Sequence, residues 1–188
     1  MTNIYCTACG QFKGGAVPDD HTVIGDFAVA VGLIDDAGRP TAVGQALTLD
    51  FYGRLLAAAP YLKPKFPEDI LEATDALDSA GLRQRDKLLK AVLTVAVLWH
   101  PGNNERMARL DDALDAMGTA HAKHGAAFGE YGAVIDLFLA VCADYAQTAD
   151  LPREVWAQAY QPALRRALNY ASGRMICAEA LANGAEGI

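Results

Sequence analysis

Apolar residues recur at helical spacing along most of the chain, and prolines and glycines separate the periodic segments. In an amphipathic helix, apolar side chains follow one another at intervals of three and four residues, on the face that packs against a core. This spacing predicts helices over 21–34, 41–59, 82–99 and 106–117, two more over 131–145 and from Asp150 onward, and a short one within 68–81. No alternating pattern typical of β-strands reaches a useful length. The pattern therefore predicts an all-α fold of six or seven helices.

Prolines and caps refine this prediction. Pro60 disfavours helix at Ala59, and Pro60, Pro64 and Pro67 frame a stiff connector. Asp150 is placed to cap the last helix, and Pro162 falls inside that helix, where an interior proline is expected to produce a kink. Residues 1–21 contain glycines and a proline without any sustained period, so we expect an irregular N-terminal extension before one domain over 22–188.

Composition and charge narrow the class of protein. The 188 residues are 52% hydrophobic and 21% charged, as in globular domains. The net charge of −7 argues against nucleic acid or an anionic membrane as a partner. The longest apolar runs, 91–99 and 134–143, are about half of the roughly 20 residues that a membrane span requires. With no recognisable signal peptide, these features predict a cytoplasmic protein.

The four cysteines are too few and too scattered for a disulfide scaffold. Cys142 lies in an apolar run, where we expect a buried, inert thiol. Cys6 and Cys9 form a C-x-x-C pair, but the one nearby candidate for a further zinc ligand is His21, and no strand-to-helix turn of a redox site is evident. We therefore expect a surface turn there, with a zinc or redox role as a remote alternative.

Histidines are the most informative polar residues. His121 and His124 are spaced i, i+3 and could share one metal ion, but no further ligand run completes a zinc site. His100 and His124 are otherwise expected to be ordinary surface histidines. No nucleophile elbow, P-loop or other catalytic motif is present. An apolar helical shell with one well-placed histidine suits a haem pocket, since haem iron takes a proximal histidine within apolar walls.

Four segments, in order, resemble the globins, specifically single-domain bacterial haemoglobins and the haem domain of flavohaemoglobins. The segments are Phe51-Tyr52-Gly53-Arg54-Leu55-Leu56 leading to Pro60-Tyr61-Leu62-Lys63-Pro64-Lys65-Phe66; Arg83-Gln84-Arg85-Asp86-Lys87-Leu88-Leu89; Met117-Gly118-Thr119-Ala120-His121; and Val155-Trp156-Ala157-Gln158-Ala159-Tyr160. They are similar to the family's F-Y-x-R helix and haem-stacking phenylalanine, its distal Q-R-x-x-L run, its proximal L-G-x-x-H and its terminal W-x-x-A-Y. The resemblance covers about residues 22–175 and implies a globin fold of six to eight helices around haem b.

The resemblance implies specific roles around the haem. It makes His121 the proximal iron ligand, preceded by Met117 in the haem-binding segment. Phe66 would lie flat on the porphyrin, and Leu88 would close the distal side. Distal hydrogen bonds would come from Tyr52 and Gln84, with Arg83 or Lys87 in place of Gln84 if the register differs.

On the proximal side, the resemblance places Tyr131 behind the iron ligand. The family's terminal helix also supplies a glutamate beside this tyrosine. The corresponding region here, Ser172-Gly173-Arg174-Met175, contains no glutamate, so the sequence leaves open whether a His–Tyr–Glu network forms.

The function implied is the binding of O2, NO and CO. Two distal donors would slow oxygen release, which suits a sensor, a store or a nitric oxide dioxygenase. The chain contains no reductase domain like that of flavohaemoglobins, so turnover would need an external reductase. A haem-free globin-like module that binds a protein partner is the alternative from another class. The last two helices offer a surface for a homodimer by analogy with globin-fold sensors.

Overall fold

The computed structural model describes residues 20–35, 37–65, 94–95, 98–123 and 131–184, and they form an all-α fold. The helices are α1 (Asp20–Ala30), α2 (Ala42–Ala58), a 3₁₀ helix (Pro60–Lys65), α3 (Asn104–Lys123), α4 (Tyr131–Thr148), α5 (Arg153–Val155), a π-helical turn (Trp156–Tyr160) and α6 (Gln161–Ala182). Within these ranges the one β interaction is an isolated bridge between Ile34 and Pro40. The all-α prediction is confirmed. The predicted helix within 68–81 and most of that over 82–99 lie outside the described residues.

The first two helices meet in a tight corner. α1 ends earlier than predicted, because Gly32 takes a positive φ of 74° and turns the chain away from the helix axis. Thr41 then caps α2: its hydroxyl accepts a hydrogen bond from the Gly44 N–H at 3.1 Å and donates one to the Gly32 carbonyl. One threonine thus begins α2 and ties that helix to the end of α1.

Pro162 was expected to kink the last helix, and the chain accommodates it in another way. The π-helical turn Trp156–Tyr160 comes immediately before it, and Pro162 occupies the first turn of α6. A proline lacks the N–H that an α-helix interior requires and clashes with the carbonyl four residues earlier. A wider turn at this point relieves both problems, and it directs Trp156 and Tyr160 onto Phe27, with ring centroids 5.4 Å apart in each case.

The helices α3 and α6 form the most extensive pair among the described elements, and they run in the same direction. Asp111 pairs with Tyr170, Asp115 pairs with Arg174, and Gly118 lies against Met175. Partner numbers rise together along both helices, which defines the parallel orientation. Gly118 does not end α3, which continues to Lys123 and places His121 in its last turn.

The core lies between α1, α2, α3, α4 and α6, and it contains a small cavity of about 30 Å³. Its walls are apolar: Ile24, Phe27, Ala28, Leu33, Val95, Phe138, Cys142, Leu164, Ala167 and Leu168. Cys142 is a buried free thiol, as expected, and burial raises its pKa. None of the described helices combines the length and apolar character that a bilayer span needs.

Candidate functional site

Three side chains from three helices form a hydrogen-bonded chain at one end of the α3–α6 pair. The His121 Nδ1 lies 2.9 Å from the Tyr131 hydroxyl oxygen, and this hydroxyl donates to Oε1 of Glu179. His121 comes from the last turn of α3, Tyr131 is the first residue of α4, and Glu179 belongs to the last turns of α6. We call these residues the His–Tyr–Glu chain.

The direction of the hydrogen bonds fixes the state of the imidazole. Because the Tyr131 hydroxyl uses its single proton toward Glu179, its oxygen accepts from His121, and the imidazole proton is on Nδ1. In the neutral ring the lone pair then belongs to Nε2, the nitrogen that would coordinate a metal. Histidine ligands of metals are commonly held in this way, with the second nitrogen donating to a fixed partner.

Burial differs sharply between the residues of the His–Tyr–Glu chain. The Glu179 side chain is 1% exposed, whereas the His121 side chain is 47% exposed. The second carboxyl oxygen of Glu179, Oε2, is buried, and no described residue forms a hydrogen bond with it. His121 Nδ1 is also 3.6 Å from Glu179 Oε1, close enough for an ion pair when the ring is protonated. The chain therefore connects a solvent-facing ring to a carboxyl group in the protein interior.

The position of Glu179 opposes stability rather than favouring it. Burying a carboxylate costs free energy, and the C-terminal end of a helix carries partial negative charge. Both costs fall on Glu179, and one of its oxygens receives no compensating hydrogen bond from a described residue. A stability-driven core would have an apolar residue here, so the arrangement is typical of a functional site.

The glutamate lies at a different place on α6 from the one expected from the sequence. The expected location, residues 172–175, contains Arg174, which points instead to α3 and binds Asp115 through two hydrogen bonds of 2.6 Å. The glutamate comes one to two turns later on the same helix. It follows Ser172 by seven residues, on the same buried stripe of α6, and this lone carboxylate among apolar neighbours was the signal available in the sequence.

Close helix packing brings the His–Tyr–Glu chain together. A Cβ added to Gly118 would lie 2.5 Å from the Met175 carbonyl oxygen and 2.8 Å from the Ala178 Cβ. Only glycine permits this approach, since real Cβ atoms do not occur so near other heavy atoms. Gly118 and Met175 thus set how closely the His121 end of α3 approaches the Glu179 end of α6. Met117, the neighbour of Gly118, is partly buried against the core.

Of the other site residues predicted from the sequence, the structure describes Tyr52 and leaves several outside its described ranges. Tyr52 lies on α2, with its ring 4.9 Å from that of Phe51 in an edge-on contact. Burial raises the pKa of Tyr52 to about 12, so its hydroxyl keeps its proton across the physiological range. Phe66, Gln84 and Leu88 lie outside the described residues, as do Cys6, Cys9 and His124.

The other histidines and cysteines considered above have their own contacts. His100 is stacked on His21, with ring centroids 5.0 Å apart, and Arg106 Nη1 lies 2.6 Å from His21 Nε2. Cys177 on α6 is disulfide-bonded. Within the described ranges, no group of three or more His, Cys, Asp or Glu side chains is arranged to hold a metal ion.

No protein-family profile, curated protein or solved structure matches the chain. Support for a function therefore comes from the chemistry of the residues themselves.

Proposed function

We propose that this protein binds haem b through His121, and that the bound haem would take up O2 and other diatomic gases. The observation that carries the proposal is the His121–Tyr131–Glu179 chain, since it holds His121 Nδ1 against the Tyr131 hydroxyl and makes Nε2 the nitrogen that would coordinate iron. When bound, haem supplies the iron to which a diatomic ligand attaches. The globin resemblance is the second support.

The His–Tyr–Glu chain is suited to make His121 an electron-rich proximal ligand. A histidine whose N–H donates toward a carboxylate gains basicity at its other nitrogen. Here the donation passes through Tyr131, which stands between the imidazole and the buried Glu179. Such a histidine would make a bound iron more electron-rich.

Tyr52 fits the role of a distal donor. Its raised pKa, about 12, means that it offers a proton rather than a phenolate to the ligand. A hydroxyl donor stabilises a bound oxygen that carries partial negative charge, by about 1–3 kcal/mol. This retention of oxygen favours a sensor, a store or a nitric oxide dioxygenase supplied by an external reductase over a carrier that unloads rapidly.

Spectroscopy of the purified chain with added haemin tests the proposal. The native protein should bind haemin and give a Soret band that shifts with CO after reduction, whereas His121→Ala should lose or greatly alter it. His100→Gln is the matched control, because His100 does not belong to the His–Tyr–Glu chain. This variant should behave like the native protein. The proposal would be overturned if the native protein took up no haemin, or if the His121→Ala spectrum were identical to the native one. Failure of the native protein to take up haemin would favour a haem-free, partner-binding module.

A second measurement tests the role of the His–Tyr–Glu chain. Tyr131→Phe removes the acceptor for His121 Nδ1 and should weaken haem binding about 10- to 100-fold, as loss of outer-shell partners typically does. The iron–histidine stretching frequency of the ferrous form, measured by resonance Raman, should fall at the same time. An unchanged frequency would show that the chain does not act on the ligand. Rapid conversion of NO to nitrate by the oxygenated protein would assign dioxygenase activity, and slow conversion would favour sensing or storage.

A further inference from the structure

Two oxidisable aromatic rings are in contact away from the His–Tyr–Glu chain. Trp99, which is 7% exposed, lies against Tyr170 of α6, with ring centroids 5.0 Å apart and planes inclined by 51°. Indole and phenol are the side chains that most readily lose a single electron. Rings in contact exchange an electron rapidly, so a charge deficit created on one can reach the other.

The two rings differ in what can take up their protons. The Tyr170 hydroxyl donates a hydrogen bond of 2.5 Å to Oδ1 of Asp111, whereas the buried Nε1 of Trp99 has no hydrogen-bond partner among the described residues. Burial, with the hydrogen bond to Asp111, raises the pKa of Tyr170, so the phenol is protonated before oxidation. An oxidised phenol is far more acidic than the parent and passes its proton to a bonded base at once. Because no described residue accepts a hydrogen bond from the Trp99 indole, the oxidised indole keeps its proton and is the stronger oxidant of the two.

We propose that Trp99, Tyr170 and Asp111 form a one-electron oxidation relay that ends in a neutral tyrosyl radical on Tyr170. An oxidant takes one electron from Trp99, and Tyr170 then returns one electron to Trp99 while its phenolic proton moves to Asp111 Oδ1. The result is a reduced oxidant, a neutral Trp99, a tyrosyl radical and a protonated Asp111. A small one-electron donor such as ascorbate reduces the radical, and the proton returns from Asp111 to the Tyr170 oxygen.

The oxidant of this relay in the cell would be haem oxidised by a peroxide, so its physiological use depends on the proposed function. The relay itself depends only on Trp99, Tyr170 and Asp111. Tyr170 retains partial exposure to solvent, where a small reductant can approach it. The relay would draw oxidising equivalents away from the core and make them available for reduction at the surface.

Flash-generated ruthenium(III) tris(bipyridine), a one-electron oxidant that needs no haem, tests the relay in the purified full-length chain. Tyrosyl radical formation is followed by transient absorbance and by electron paramagnetic resonance of frozen samples. The native chain should form a radical that Tyr170→Phe reduces by more than half, although six other tyrosines remain. Asp111→Asn should slow formation about tenfold, the effect expected from losing a hydrogen bond to a charged acceptor.

Two controls separate the relay from general effects. Asp136→Asn alters a carboxylate that binds Arg165 and should leave the rate unchanged. Trp99→Phe should slow radical formation, whereas Trp156→Phe should not, since Trp156 packs on Phe27 instead. A native radical yield retained in Tyr170→Phe, or equal rates in the two aspartate variants, would overturn the proposal.

A solvent isotope measurement on the native protein tests the relay without any variant, so it remains valid if a variant fails to fold. Because proton and electron leave Tyr170 together, radical formation should be slower in D2O than in H2O. Equal rates in the two solvents would contradict transfer to Asp111. None of these results depends on haem binding, so failure of the relay and failure of the proposed function give different outcomes.

Discussion

Gly118 of α3 lies directly against the backbone of Met175 of α6, so closely that a Cβ at Gly118 would stand 2.5 Å from the Met175 carbonyl oxygen. The obstacle is backbone rather than the end of a flexible side chain, so it cannot move away cheaply. This gives a physical reason for a glycine three residues before His121, the position that the L-G-x-x-H resemblance singles out.

Gly118→Ala should therefore destabilise the protein by about 1–3 kcal/mol, the usual cost of forcing extra volume into a packed contact. Urea unfolding followed by circular dichroism measures this cost. Gly53→Ala is the control: a Cβ there meets nothing within 4 Å, and the exposed helical position should gain about 0.5–1 kcal/mol. Equal stabilities for the two variants would show that α3 and α6 leave room for a Cβ at Gly118.

Asp20 and Arg166 join α1 to α6 through two hydrogen bonds, of 2.7 and 2.6 Å. Asp20 is 3% exposed, so Arg166→Ala would leave a buried carboxylate without its partner. We expect a loss of about 2–3 kcal/mol, somewhat below the cost of breaking a fully buried pair, because Arg166 itself is partly exposed. Chemical unfolding checks this value.

The neighbouring Arg165→Ala gives the matched comparison. Its partner Asp136 is 67% exposed, and surface ion pairs contribute little. The change in unfolding free energy should stay within about 0.5 kcal/mol. A similar loss in both variants would mean that burial of Asp20 does not determine the effect.

The raised pKa of Tyr52 predicts a loss of stability in alkali. The unfolded chain releases this phenolic proton near pH 10, whereas the folded chain holds it to about pH 12. Between these values the folded state binds more protons, so its stability falls as pH rises, by about 2–3 kcal/mol for this group. Urea unfolding at pH 8, 10 and 11.5 measures the decline, which should be shallower in Tyr52→Phe; parallel curves would contradict the assignment.

Glu179→Gln separates stability from function at the His–Tyr–Glu chain. The amide oxygen can still accept from Tyr131, and the buried charge at a helix C-terminus is gone, so stability should be unchanged or higher. The iron–histidine stretching frequency of the haem-bound form should nevertheless fall, because the carboxylate no longer increases the basicity of His121. A clear loss of stability with an unchanged frequency would indicate a purely structural carboxylate.

The sequence predicted the helices well where their ends depend on local chemistry. Thr41 and Pro60 delimit α2, and each acts through its own hydroxyl or ring on the adjacent backbone. The end of α1 was wrong by four residues, because apolar spacing continues to Ile34 although Gly32 has already turned the chain. Periodicity reports which side chains are buried, not whether the backbone between them is still helical.

The site was predictable in part for a related reason. His121 and Tyr131 were placed by their motifs, and the structure brings them together. Glu179 was missed, because its place depends on the register between two helices that are distant in sequence, and no local motif encodes that register. The π-helical turn before Pro162 adds to the difficulty, since an extra residue in a turn shifts the facing of all later positions by about 100°.

Parallel α3 and α6 meet at a nearly constant numerical offset, from Asp111 with Tyr170 to His121 with Glu179. Tolerance to changes in chain length should therefore be very uneven. An alanine inserted in the connection at 149–152 adds length outside both helices, so their alignment can persist. The same insertion between Arg174 and Glu179 rotates the carboxylate by about 100° around the α6 axis, away from Tyr131. Over evolutionary time, insertions and deletions should accumulate between these helices and be purged within them.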